Sequence, residues 1–194
     1  IHASIFSIQY VMSSFGTSIL SANDYALRLY AFLIILVFMP IITPLYTLIS
    51  SEDMQIKNTL NRFHHILKYI SILFVLIFIA TYFFSEWGIK LLFERGEFNN
   101  HSTQLTSKLF ILYMAGLIFD VIRRIFFRIF LVFQKTTFLI WSALLSNIIF
   151  CIALFLGKKW FNSFLIVPTF LILINIIFIL IEYTYLKRSI ANKR

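Results

Sequence analysis

Asp24, Arg28, Arg124 and Arg128 are the residues in this sequence whose type and spacing could do chemistry. Arg28 opens the uncharged run 29–50, and Asp24 precedes it by one helical turn. A cation inside an apolar span faces a bundle interior or a water cavity, because exposure to lipid is costly. A guanidinium so placed binds a phosphate or diphosphate through paired hydrogen bonds. The competing assignment is an interfacial arginine that snorkels to the surface and pairs with Asp24 at i−4. Asp120, Arg124 and Arg128 repeat at i, i+4, i+8, with Arg123 alongside, so they share one helical face. That face is either a cationic track for an anionic ligand or a cluster of basic residues gripping membrane head groups. No nucleophile sits with a base, and there is no metal-ligand set or glycine-rich phosphate loop. The chemistry expected is anion binding, with no cofactor and no metal.

The elements that must hold these residues are apolar helices. Of 194 residues, 60% are hydrophobic, 24 are Phe and only 13% are charged, with a mean hydropathy of +0.90. A soluble domain carries roughly twice that share of charge. Runs without a charge cover 29–50, 69–85, 136–157 and 160–181, each about long enough to span a bilayer. In lipid every backbone polar group needs an internal partner, which leaves helices or closed barrels. The alternating strands of about ten residues that a barrel needs are missing. The fold expected is an all-α polytopic membrane protein with about six transmembrane helices, near 1–22, 25–50, 64–85, 103–134, 136–157 and 160–187. Residues 86–102 are expected as an outer interfacial loop. Trp87, Ile89, Leu91, Leu92 and Phe93 would lie on the membrane there, with Gly96 at a turn and Asn100 or Ser102 capping the next helix. Pro40 and Pro44 are expected to bend or break the helix that holds Arg28.

Other features are weaker. The net charge of +9 fits anionic lipid rather than nucleic acid. Cys151 is expected as a small buried hydrophobe. Adjacent His64 and His65 do not share a helix face and are expected at the interface. Asn147 and Asn175 are expected as interhelical hydrogen-bonding residues, and Glu182 as neutralised by Lys187 and Arg188. The chain starts with Ile and shows no basic n-region before a short apolar core, so no signal peptide is expected and the chain reads as an excerpt of a longer protein. Basic residues fall unequally on the two sides. Lys57, Arg62, Lys68, Arg123, Arg124, Arg128, Lys135, Lys187, Arg188, Lys193 and Arg194 share one side; Lys90, Arg95, Lys108, Lys158 and Lys159 share the other. The richer side belongs in the cytoplasm, which puts the C-terminus inside and residues 86–102 outside.

Several stretches carry a resemblance in order. LLFERGEF (91–98), a Thr/Ser-rich helix start and Tyr113, Gly116 and Leu117 resemble the MurJ/MviN family, lipid II flippases of the MOP exporter superfamily. DYALRLY (24–30) resembles that family's Tyr-Ala-Asp-Arg-Leu-Tyr stretch, KNTLNR (57–62) its cytoplasmic loop, and RIFLVFQKTT (128–137) its Arg-x-Phe-Tyr-x-x-x-Asp-Thr-x-Thr-Pro junction. The departures are Leu27 in place of the family Asp, Lys135 in place of the junction Asp, and Phe138 in place of its Pro. The resemblance implies a fragment of a two-lobe exporter in the bacterial inner membrane, about six helices of its second half. It implies a polyprenyl-diphosphate-linked saccharide as substrate, moved by alternating access, and the rest of the chain as partner. It implies that Arg28 lines the central cavity. An O-antigen or capsule precursor flippase of the same superfamily is the alternative; a membrane enzyme would need acidic or His groups at a membrane face, and a scaffold would tolerate loss of Arg28.

Overall fold

The computed structural model describes residues 2–50, 56–94 and 98–191. Seven helices follow in order: α1 (His2–Ser13), α2 (Thr17–Leu33), α3 (Met39–Ser50), α4 (Ile56–Phe93), α5 (Asn100–Val132), α6 (Thr136–Phe161) and α7 (Ile166–Ala191), with a π-helical turn, Ile34–Phe38, joining α2 to α3. Among the described residues, five stretches are long and apolar enough to cross a membrane: Thr17–Pro44, Leu67–Phe93, Asn100–Val132, Thr136–Phe161 and Ile166–Arg188. The chain is therefore an all-helical polytopic membrane protein. Its α1, of 12 residues, packs beside α2 and α6.

The first break falls earlier than the sequence suggests. Residues 14–16, not 23–24, separate the first two helices. Gly16 adopts φ +115, a conformation that an L side chain resists. The hydroxyls of Ser13 and Ser14 donate to the carbonyls of Tyr10 and Val11, closing α1. Asn23 and Asp24 thus lie inside α2, and Asn23 accepts a 2.7 Å hydrogen bond from Tyr113 in the core.

The helix holding Arg28 widens instead of breaking. Pro40 has no N–H and its ring would crowd the carbonyl of Leu36 in an α turn. The chain relieves this with the π turn just before it, where the Met39 N–H donates to the Ile34 carbonyl. Such single π turns concentrate at functional sites.

The expected outer loop is also shorter. α4 continues to Phe93, because Ile89 is buried and Phe93 packs with Tyr25 and Phe98 at ring separations of 4.9 and 6.1 Å. Trp87, Leu91 and Leu92 are exposed on its last turns. The cap of α5 is Asn99, whose side chain accepts the Ser102 N–H at 3.0 Å. Gly96, with Arg95 and Glu97, lies outside the described residues. At the other end of the chain, α6 runs on to Phe161 and ends on Asn162 in the left-handed region (φ 40), so α7 starts at Ile166.

α5 is the hub, packing against α2, α3, α4, α6 and α7. Its buried face carries Tyr113, Met114, Leu117, Val121, Ile125, Phe126 and Ile129. Phe83, Ile148, Trp160 and Leu180 point outward, as lipid-facing residues must. α6 meets α7 closely at Gly157, where a Cβ would stand 2.1 Å from Phe170 Cε2. Gly157→Ala is expected to cost about 1–3 kcal/mol through overpacking. Thermal unfolding in detergent should show the loss, and Phe170→Leu should restore part of it; an unchanged melting temperature would show that the ring yields freely.

Candidate functional site

Charge enters the bundle at two depths. Arg28 lies 11 residues after Thr17 (28 minus 17), about 16 Å along the helix at ~1.5 Å per residue. Arg28 therefore lies in the interior of the 28-residue apolar span Thr17–Pro44 and not at its end. Its side chain is exposed on the α2 face that also carries Ser21, Phe32 and Ile35. The guanidinium carbon sits 5.7 Å from the Tyr25 ring centroid. Among the described residues no ion pair joins it to Asp24, which is half-buried.

The second group lines a cavity of about 320 Å³ between α3, α5, α6 and α7. Asp120, Arg124 and Arg128 all line it, as their i, i+4, i+8 spacing requires, together with Arg123, Ser142 and Glu182. The three arginines are not equivalent. Arg124 is fixed by Asp120, with Nε and Nη2 donating to Oδ2 at 3.1 and 3.0 Å. Arg128 makes no hydrogen bond or ion pair with any described residue. Arg123 is locked among three helices. Its Nη1 donates to Asn175 Oδ1 at 2.9 Å, its Nη2 reaches Ser146 Oγ and Glu182 Oε1 at 3.3 and 3.4 Å, and the Phe178 ring lies 5.3 Å from its guanidinium carbon.

The Arg123–Glu182 pair corrects the sequence assignment of Glu182 to Lys187 and Arg188. Those two sit at i+5 and i+6, beyond the i+3 and i+4 reach of a helix face, and both are exposed. Glu182 turns inward to accept from Ser142 at 2.6 Å. The spacing was the available signal that its partner had to come from another helix. Asn175 and Asn147 do act between helices, Asn175 on Arg123 and Asn147 as acceptor from the Ser4 hydroxyl. Cys151 is only half-buried and accepts from Ser7 at 3.3 Å. His65 is exposed, and the His64 side chain lies outside the described residues.

Tyr30 connects the two depths. Its hydroxyl donates to Asp120 Oδ2 at 3.1 Å, the same oxygen that holds Arg124. The helix bearing Arg28 is thereby tied to the arginine stripe on α5. Among the described residues no group of three or more His, Cys, Asp or Glu could hold a metal ion. Three guanidiniums lining a cavity of an apolar bundle, of which Arg128 has no carboxylate partner among the described residues, can bind a polyvalent anion.

Fold and charge placement together define a polytopic α-helical membrane protein with polar sites inside its spans. Residues 5–191 match the model of the family described as lipid II flippase MurJ, and the chain belongs to that family. Its members are transporters of a lipid-linked precursor in the bacterial inner membrane, not enzymes. Comparisons with curated proteins and with solved structures returned no match.

Proposed function

We propose that this chain forms part of a flippase that carries lipid II, a lipid-linked saccharide diphosphate, from the inner to the outer leaflet by alternating access. The observation that carries this reading is Arg28, which stands about halfway along its span on a face of α2 left unpacked within this chain. An arginine at that depth is beyond an easy snorkel and needs a cavity or an anion. In the full protein that face meets the central cavity, closed by the remainder of the chain. The diphosphate first meets Arg124 and Arg128 at the cytoplasmic mouth and then Arg28 further in. The C-terminus lies in the cytoplasm, with the more basic helix ends. The π turn below Arg28 gives its helix a place to bend as the cavity changes its opening.

A rescue tests this. A bacterial host is depleted of its lipid II flippase, the full-length protein is expressed, and lipid II reaching the outer leaflet is quantified. Sustained export supports the reading. Absence of export despite normal membrane insertion rejects lipid II as the cargo, and export of an O-antigen or capsule precursor would then be assayed the same way.

A further inference from the structure

Glu182 is only 6% exposed, and its two oxygens live differently. Oε1 takes both the Ser142 hydroxyl at 2.6 Å and the Arg123 Nη2 at 3.4 Å. Oε2 is buried and has no hydrogen-bond partner among the described residues, and neither does the buried Nε of Arg123. An ionised carboxylate with one oxygen left dry inside a membrane bundle is costly. A proton on Oε2 removes that charge. Arg123 does not depend on Glu182 alone, since Asn175, Ser146 and the face of Phe178 still hold its guanidinium. The pair is thus built so that its acid can lose its charge without stranding its base.

The surroundings select a proton over a metal ion. From α5, Glu182 faces Arg123 directly, and Asp120, Arg124 and Arg128 across the cavity. From α6 it meets the hydroxyl of Ser142; from α3, Met39 and Ile42 line the same cavity. On its own helix Tyr185 is stacked on Phe138 at 3.7 Å, while Tyr183, Lys187 and Arg188 are exposed. A hard cation wants about six oxygen ligands. Here a guanidinium stands 3.4 Å away and repels it, whereas a proton needs one oxygen.

We infer that Glu182 is a proton-binding site that sets the charge of the arginine cavity and so the grip of that cavity on an anionic ligand. This inference rests on the flippase reading for the identity of the ligand. With Glu182 ionised, three guanidiniums face two carboxylates around the cavity; with it protonated, they face Asp120 alone. A proton moves from cavity water to Oε2, Arg123 loses its ionic partner, and the cavity gains one positive charge for a diphosphate. When the anion leaves, the proton returns to water and the pair re-forms.

The test uses the full-length protein in lipid nanodiscs, with a polyprenyl diphosphate as probe. Wild-type affinity is expected to rise as pH falls, by at most about tenfold per pH unit, the limit for one linked proton. Glu182→Gln, which mimics the protonated acid, is expected to bind with no such dependence, as tightly as wild type at low pH. Infrared spectroscopy reads the proton directly, as a carboxylic-acid carbonyl band that titrates in wild type and is missing in Glu182→Gln. Tight binding with a flat pH profile in wild type overturns the inference and leaves the flippase reading intact. No probe binding at any pH defeats the flippase reading, and the infrared band then decides the proton site alone: a band that does not titrate overturns it. If Glu182→Gln fails to insert, Ser142→Ala serves. Removing the hydroxyl on Oε1 must move the midpoint of the band, and an unmoved midpoint overturns the inference.

Discussion

Arg28→Ala in the full-length protein is expected to abolish lipid II export while the protein still inserts at its normal level. A charge-assisted hydrogen bond contributes about 1.5–3 kcal/mol, and a paired guanidinium contact with a diphosphate makes two. Losing both weakens binding by on the order of a hundredfold or more, since each 1.4 kcal/mol is about tenfold. Insertion should survive because the residues that fasten α2 to the bundle, Ala22, Asn23 and Ala26, lie on its other face. Arg28 itself is exposed, with the Tyr25 ring centroid 5.7 Å from its guanidinium carbon. Export in the depleted host and the amount of protein in the membrane fraction are measured together. Arg28→Lys separates geometry from charge: a lysine keeps the charge but not the planar fork, so partial export is expected. Near-normal export by Arg28→Ala would reduce the residue to a snorkelling cation and remove it from the transport path.

The long apolar runs made the spans legible, because lipid forces an uncharged run of that length into a helix whatever its neighbours do. The stripe on α5 was legible for a similar reason, since helical periodicity alone puts Asp120, Arg124 and Arg128 on one face. Helix ends were harder. Gly16 breaks the chain because of its positive φ, while Asn23 and Asp24, residues that favour turns, stay helical, with the Asn23 side-chain oxygen accepting from Tyr113 on another helix. In the same way Phe93 extends α4 because rings from α2 and from the segment before α5 receive it. The Arg123–Glu182 pair spans 59 residues, and no local spacing encodes such a partner. What the sequence did offer was negative: Glu182 has no basic residue at i±3 or i±4 on its own helix. Tyr30 carried no signal of its own, since an isolated tyrosine in an apolar run is unremarkable until Asp120 is brought to its hydroxyl.

Neutralising Arg124 and Arg128 together, as Arg124→Gln with Arg128→Gln, is expected to remove most capture of substrate from the inner leaflet while the topology holds. The two arginines contribute unequally. Arg128 has no partner among the described residues and is free to meet a diphosphate, whereas Arg124 must first leave Asp120, to which it is bonded at 3.0 and 3.1 Å. Arg128→Gln alone should therefore cause most of the loss, roughly tenfold to a hundredfold in affinity for one charge-assisted contact. Arg124→Gln alone should do less, because Arg124 is already engaged by Asp120 and has less to offer a ligand. Asp120→Asn makes the opposite case. It frees Arg124 and removes a negative charge from the cavity, so binding should tighten or hold, while the link to Tyr30 on α2 weakens. The competing account makes these residues an ordinary basic cluster that fixes orientation through membrane phosphates. That account places the effect in topology, read by labelling cysteines introduced at helix ends, and leaves binding of a polyprenyl diphosphate untouched. The two outcomes do not overlap. Lost binding with unchanged labelling assigns the stripe to the substrate, and altered labelling with unchanged binding assigns it to the membrane.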